Sequence, residues 1–178
     1  MTMVRGVSGN YELHMDPRTA DCVLGLGFGL RETAGNFQPG AGNEALAAYY
    51  HQSFPNLPVL MQDDLLEAVI STQLHYGPLH TIEQFATLGD RMTTYRLMKL
   101  MQRSMSAKGY ERPVLLAASH QVPRAVAIAK KLGLELIVPY GLPDGFDPKS
   151  SQRWTRNAWR WAFKEPFVMI QHRLFGWI

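Results

Sequence analysis

The clearest structural pattern in the chain spans residues 113–138, which read PVLLAASHQVPRAVAIAKKLGLELIV. Residues 113–118 form an apolar run with the length of a buried strand, and residues 134–138 form a second one. Residues 122–132 between them have the pattern of a helix, with two lysines in the last turn and a glycine after it. This order predicts a βαβ unit. The expected fold class is therefore α/β, with a three-layer, mostly parallel, doubly wound (Rossmann-like) sheet.

The rest of the chain extends this alternation in both directions. Further strands are predicted at residues 20–26 and 58–61, and a short one around Thr81-Ile82. Helices are predicted at residues 43–50 (opened by an Asn43 cap), 63–76, 93–108 and 150–163, the last broken or kinked at Pro166. Residues 31–42, rich in Gly, Asn and Pro, are expected to form a loop. We expect residues 1–19 to be a flexible N-terminal arm and residues 20–178 to be a single domain.

Composition narrows the class of protein. The 178 residues are 46% apolar and 19% charged, with a formal net charge of +3. That excess is too small to indicate a nucleic-acid partner, although it favours anionic ligands. Cys22 is the only cysteine, which excludes an intramolecular disulfide and zinc sites that need two cysteines. With no signal sequence or membrane span apparent, we expect a cytoplasmic protein.

Glycines alternate at the end of the first predicted strand. Gly25, Gly27 and Gly29 would let the backbone approach a ligand and direct N–H groups at an anion. The pattern differs from the dinucleotide fingerprint, because a loop follows where a helix should begin. A tight turn with no ligand would require the same glycines.

Two carboxylates follow the second predicted strand. Asp63 and Asp64 could hold a metal, accept a proton or form a polar wall of a pocket. They would equally serve as a cap and first-turn pair of the next helix. Adjacent side chains diverge, so at most one should face a pocket. The histidines have no metal-ligand spacing, and no metal site is predicted.

The third candidate site lies between the two most clearly predicted elements, the strand at residues 113–118 and the helix at residues 122–132. Ser119 is predicted to cap the helix, and His120 and Arg124 are four residues apart, on one helix face at the positive end of its dipole. Ligands of open α/β sheets bind at the carboxyl ends of the strands. His120 is therefore the candidate catalytic acid–base, with Ser119 and Arg124 as ligand-binding residues.

The segment from Leu115 to Ala125, LLAASHQVPRA, resembles the YdcF/SanA/ElyC-like family, a bacterial domain of unknown function. Residues 23–27 are similar to that family's first strand and glycine turn, so the resemblance spans about residues 20–175. The middle of the chain departs from the pattern, since Met61-Gln62-Asp63-Asp64 stands where the family has a Ser-Gly-Gly turn. The resemblance implies a Rossmann-like domain, a role in cell-envelope metabolism and, for one member, likeness to an S-adenosylmethionine binder.

The C-terminal segment from Trp154 to Trp177 is rich in tryptophan and arginine. Such a segment can dock on the sheet with its arginines in water, or it can lie on an anionic membrane surface or a protein partner. If the segment lies on a membrane surface, the protein would be peripheral at the inner membrane.

Together these patterns predict a domain that binds a small anionic or nucleotide-like metabolite at the strand ends, with His120 as acid–base if it is an enzyme. Two other functions stay open: an S-adenosylmethionine-dependent transferase, and a non-catalytic module acting through the C-terminal segment. The sequence does not determine the oligomeric state.

Overall fold

A computed structural model describes residues 4–6, 9–11, 17–71, 79–82 and 93–178. In chain order the strands are β1 (Val4–Gly6), β2 (Gly9–Tyr11), β3 (Cys22–Gly25), β4 (Leu30–Thr33), β5 (Asn36–Pro39), β6 (Val59–Gln62), β7 (Leu79–Ile82) and β8 (Pro113–Leu116). The helices are α1 (Ala41–Ser53), α2 (Asp63–Ser71), α3 (Thr94–Lys108), α4 (Val122–Leu132) and α5 (Ala158–Leu174). Single 3-10 turns lie at Pro17–Thr19, Ser119–Gln121 and Arg153–Thr155.

Four parallel strands form the central sheet, in the order β7-β6-β3-β8. Beyond β8, Ile137 makes a single parallel bridge to Val114. The chain thus proceeds from β3 outward to β6 and β7, then returns to the other side of β3 with β8. This confirms the predicted α/β class with a parallel sheet.

Successive residues of the central strands pack on opposite faces of the sheet, because side chains alternate along a strand. Val23 of β3 packs in a cluster with residues of α1 and α2, including Leu46 and Leu65. Leu24, the next residue, packs in a cluster with residues of α3 and α4, including Met101 and Ile128. The core therefore lies on both faces of β3.

The βαβ prediction is correct for its helix and wrong for its last strand. Residues 134–138 were expected to be a strand, but only Ile137 pairs with β8. Its N–H donates to the carbonyl of Pro113 over 3.0 Å, and its carbonyl accepts from the N–H of Leu115 over 2.8 Å. The parallel direction is as predicted, with a ladder limited to one residue.

The predicted loop over residues 31–42 is wrong in part, because β4 and β5 form an antiparallel hairpin there. Its two central turn residues, Ala34 and Gly35, both have positive φ, 51° and 80°. That is the backbone a two-residue hairpin turn favours, and glycine in the second position makes it accessible. Because the first turn residue is an alanine and not Asn, Asp or Gly, the sequence lacks the usual signal of this turn.

Two predicted helix caps are also wrong. Helix α1 begins after Gly40, and Asn43 is buried inside its first turn. Helix α4 begins after Gln121, because Ser119 starts a separate 3-10 turn. Helix α2 is described to Ser71, so the predicted end at residue 76 lies outside the described residues. The short strand predicted around Thr81-Ile82 corresponds to β7.

The C-terminal helix is longer than predicted and begins later, at Ala158, after the side chain of Asn157 accepts a hydrogen bond from the N–H of Arg160. It continues through Pro166 to Leu174 without a break. Pro166 and Ala162, whose carbonyl loses its helical partner, are both exposed, so water can satisfy that group. Within the predicted N-terminal arm, β1 and β2 pair antiparallel. Among the described residues, no helix has the length and apolar character to cross a membrane.

Candidate functional site

Three segments meet at the carboxyl edge of the central sheet. The loop Leu26-Gly27-Phe28-Gly29 follows β3, the first turn of α2 follows β6, and the 3-10 turn Ser119–Gln121 follows β8. These strands are neighbours, so the three segments predicted from the sequence lie side by side. The order of strands reverses between β3 and β8, which is the position where open α/β sheets form a ligand crevice.

Hydrogen bonds fix the glycine loop in place. The N–H of Gly27 donates to Oε1 of Gln62 over 2.7 Å, and the N–H of Phe28 donates to Oδ1 of Asn43 over 2.7 Å. The carbonyl of Gly27 accepts from Nε2 of Gln121 over 3.3 Å. The loop's amides at Gly27 and Phe28, expected to face an anion, therefore donate to side chains of the protein.

Each of the three glycines has a steric reason to be there. A Cβ on Gly25 would come within 2.5 Å of Cγ of Met61, so this glycine allows close packing of β3 against β6. A Cβ on Gly27 would come within 2.4 Å of Oδ1 of Asp64. Gly29 has a φ of +83°, which glycine adopts at little cost, and its carbonyl accepts from Nδ2 of Asn43.

The two adjacent carboxylates diverge. Asp63 is exposed, whereas Asp64 points inward against Gly27. Oδ2 of Asp64 accepts from Nδ2 of Asn43 over 3.1 Å, while its buried Oδ1 has no hydrogen-bond partner among the described residues. Burial raises the pKa of Asp64, against the opposing effect of the Asn43 hydrogen bond. Asp64 is therefore the carboxylate that the site can use.

His120 lies in an aromatic box. Its ring stacks on Phe146 with centroids 4.4 Å apart and meets the edges of Phe28 and Trp161 at 4.3 and 4.6 Å. Both ring nitrogens are buried, and neither has a hydrogen-bond partner among the described residues. Burial lowers the pKa of His120 to about 4, with the charge of Arg124 acting in the same direction and Asp144 against it. The imidazole is thus neutral at pH 7 and can act as a base or as a neutral hydrogen-bonding group.

Arg124 contacts the same tryptophan and is paired within the chain. Its guanidinium carbon lies 5.2 Å from the ring centroid of Trp161, and its Nη1 donates to Oε2 of Glu165 over 2.8 Å. The side chain is buried, and its Nε has no partner among the described residues. Arg124 and His120 both contact Trp161, although His120 lies in the 3-10 turn before α4 and not on the helix as predicted. Glu165 of α5 adds an acidic partner.

Ser119 has a different position from the one predicted. Its hydroxyl donates to Oδ1 of Asp144, and its N–H donates to the carbonyl of Pro143 over 2.9 Å. The serine thereby ties the turn after β8 to the segment that precedes Phe146. It supports one wall of the box around His120.

The sequence interpretation missed the residues that hold the site together. Asn43, Gln62 and Gln121 supply the amide side chains that fix the glycine loop, and Phe146 and Trp161 form the box. Asn43 drew attention only as a helix cap. Amide side chains at strand ends, such as Gln62 in the last position of β6, were the one available signal.

These contacts define two adjoining parts of one site, an acidic part around Asp64 and a histidine part around His120. Phe28 contacts both parts: its N–H donates to Asn43, which in turn donates to Asp64, and its ring touches that of His120. The chain matches no protein-family profile, no curated protein and no solved structure. The resemblance to the YdcF/SanA/ElyC-like family therefore rests on the residues quoted for it and stays a prediction.

Proposed function

We propose that this chain is a Rossmann-like, three-layer α/β domain that binds a small anionic or nucleotide-like metabolite at the carboxyl ends of β3, β6 and β8. In this proposal Arg124 supplies the positive charge, and neutral His120 forms the hydrogen bond or accepts the proton. Asp64 lines the neighbouring wall. The resemblance to the YdcF/SanA/ElyC-like family adds a role in cell-envelope metabolism to the proposal.

One observation carries this proposal. Asp64 and His120 are both titratable, and both keep buried polar atoms without a partner among the described residues. They lie at the carboxyl edge of the sheet after β6 and β8, the two strands that flank β3. An unpaired buried polar atom costs about 1–3 kcal/mol, so such atoms need a reason other than stability. Their pKa values are displaced in opposite directions, a pattern common in acid–base sites. A ligand between them would explain both features.

If the domain is an enzyme, His120 suits the role of general base more than that of acid. A histidine with a pKa near 4 is unprotonated at pH 7 and can accept a proton from a substrate hydroxyl or water. Asp64, whose pKa is raised, is the better candidate to hold a proton. Arg124 would stabilise negative charge that develops on the substrate.

A thermal-shift screen tests the proposal without assuming a reaction, because a ligand of the native state raises the midpoint by mass action. The panel contains nucleotides, sugar phosphates, polyprenyl-phosphate mimics and S-adenosylmethionine. The matched variants are Arg124→Gln and Glu165→Gln. Both break the same ion pair, but only Arg124→Gln removes the cation.

We expect a ligand whose shift disappears in Arg124→Gln and His120→Phe and persists in Glu165→Gln. A shift for S-adenosylmethionine would select the transferase. A cooperative melt with no shift across the panel, or a shift that persists in both Arg124→Gln and His120→Phe, would overturn the proposal.

A further inference from the structure

Helix α5 has two faces with different surroundings. Trp161 and His172 are buried against the domain, on the same side as Glu165. The opposite side carries a stripe of large apolar side chains that are all exposed. We call it the outer stripe: Trp159, Phe163, Phe167, Ile170 and Leu174, which are 87%, 77%, 63%, 53% and 82% exposed.

The outer stripe follows the helix repeat. Its members are separated by four, four, three and four positions, so they lie on one side of α5 along its 17 residues. The rings of Phe163 and Phe167 are in contact, with centroids 5.8 Å apart. A single exposed apolar residue needs no explanation, but a continuous stripe of five marks an interaction surface.

The C-terminal segment that carries the outer stripe is strongly cationic. From Pro148 to Ile178 the only acidic residue is Glu165, and it is paired with Arg124 on the inner face. The same stretch contains six cationic side chains: Lys149, Arg153, Arg156, Arg160, Lys164 and Arg173. On the helix, Arg160 and Arg173 flank the outer stripe on its two sides, and both are exposed.

A groove continues the outer stripe at the start of α5. It has a volume of about 810 Å³, and its lining combines aromatic with cationic side chains: Arg153, Trp154, Trp159, Arg160, Ala162, Phe163 and Lys164. Nζ of Lys164 lies 3.8 Å from the ring centroid of Trp154. Apolar walls with cations at their edge match an amphiphile that has a negative headgroup.

We propose that the outer stripe of α5 docks on the surface of a lipid bilayer that contains anionic lipids. The helix lies in the plane of the interface, with Trp159, Phe163 and Phe167 at the boundary between headgroups and acyl chains. Arg160 and Arg173 then meet lipid phosphates on either side. Docking of the stripe on a second copy would bring two cationic rims together, so the charge distribution favours the anionic surface.

Contacts on the inner face fix this orientation before any lipid is bound. Trp161 packs against Phe28 and His120, and the Glu165–Arg124 pair connects the same side of α5 to α4. The outer stripe is therefore presented as a preformed surface, which lowers the entropic cost of docking. This inference is independent of the proposed metabolite.

Co-sedimentation of the full chain with vesicles tests the docking. One set of vesicles is phosphatidylcholine alone, and the other is equimolar phosphatidylcholine and phosphatidylglycerol. The test variant is Phe163→Ser/Phe167→Ser, and the charge variant is Arg160→Gln/Arg173→Gln. The matched control is Phe37→Ser/Ile70→Ser, which removes two exposed apolar side chains elsewhere in the domain.

We expect binding to the anionic vesicles that weakens with salt. The partition coefficient should fall roughly tenfold or more in the test variant and roughly fivefold per removed charge in the charge variant. The control should bind like the unmodified chain. Bromine-labelled acyl chains should quench part of the fluorescence, and Trp159→Phe should remove that part.

Three results would overturn the inference. The first is no binding to the anionic vesicles by the unmodified, folded chain. The second is equal binding by the test variant and the control. The third is self-association in sedimentation velocity that the test variant abolishes while vesicles leave the chain in solution, which would identify a second copy as the occupant.

Discussion

Arg124 and Glu165 form an ion pair of 2.8 Å that joins the first turn of α4 to the middle of α5. Both side chains are largely removed from water, 8% and 18% exposed. Burial lowers the pKa of Arg124 and raises that of Glu165, so for each group desolvation outweighs the attraction of its partner. The pair therefore specifies where α5 docks more than it stabilises the fold.

Removal of one partner should be costly. Glu165→Gln leaves the buried guanidinium without a counter-charge, and we expect the free energy of unfolding to fall by about 2 kcal/mol. Urea denaturation at pH 7 measures this change. The control is Glu44→Gln, which breaks the exposed pair with Arg31 and should cost less than about 1 kcal/mol.

Replacement of both partners should cost less than replacement of one. The Arg124→Met/Glu165→Leu variant keeps apolar packing against Trp161 and removes both buried charges. We expect its stability to equal or exceed that of the unmodified chain, because well-packed apolar pairs often match buried ion pairs. A double variant less stable than Glu165→Gln alone would show that the pair is a net stabiliser.

His120 should make stability depend on pH in one direction. The unfolded chain takes up a proton on this residue near pH 6.5, whereas burial lowers its folded pKa to about 4. Between these values the unfolded state binds more protons than the folded state. The contribution of neutral His120 to the free energy of unfolding is therefore full above about pH 6.5 and is lost as the pH falls toward 4. The expected slope is up to about 1.4 kcal/mol per pH unit. Because His172 also has its pKa lowered by burial, to about 4, the difference between the unmodified chain and His120→Phe isolates His120.

The same variant separates function from stability. The ring of His120 makes no hydrogen bond to the described residues and lies among Phe28, Phe146 and Trp161. We expect His120→Phe to change the free energy of unfolding at pH 7 by less than about 1 kcal/mol, because it keeps an aromatic ring in the box. Alanine is a poorer choice, since it would leave a cavity. A large loss in urea denaturation of His120→Phe would instead indicate a structural histidine.

A side chain at position 27 should displace the carboxylate of Asp64. A Cβ at this position would overlap the carboxylate, and we expect Gly27→Ala to lower the free energy of unfolding by about 1–3 kcal/mol. In a double-mutant cycle with Asp64→Ala the loss should be smaller than the sum, because the overlapping atoms are gone. Additive losses would show that Gly27 is required for its backbone conformation instead.

Cys22 should be inert in the native state. It is fully buried, and burial raises the pKa of its thiol, so the reactive thiolate is suppressed. We expect no reaction with a thiol reagent at pH 8 until the chain unfolds. Because Cys22 is the only cysteine, the rate of labelling directly reports global opening. Labelling at the rate of a free thiol in the folded protein would contradict the buried position of β3.

The sequence predicted the parts of the fold that local patterns determine. The apolar run before Ser119, the helix Val122–Leu132 with a glycine at its end, and the strand before Asp63 all lie where expected. The hairpin of β4 and β5 was not predicted, because Ala34 stands in the first turn position, where Asn, Asp or Gly usually signals such a turn. The sequence prediction also failed at Pro166, because an exposed helix tolerates a missing hydrogen bond that a buried one would not.

The candidate site was predictable only in its position. The strand-end rule depends on topology alone and pointed to Asp63, Asp64 and His120, while helix spacing added Arg124. The partners that determine their chemistry come from distant segments: Trp161 and Glu165 from α5, and Asn43 from α1. No local spacing encodes such contacts, so the depressed pKa of His120 could not be foreseen.

Imidazole NMR tests whether His120 engages a ligand. The chain has six histidines, and comparison with His120→Phe assigns the ring signals of His120. Our prediction is a ring that is neutral at pH 7 and stays neutral to about pH 4, with signals that move when the panel compound giving the largest thermal shift is added. A compound that raises the melting midpoint and leaves those signals unchanged would contradict it.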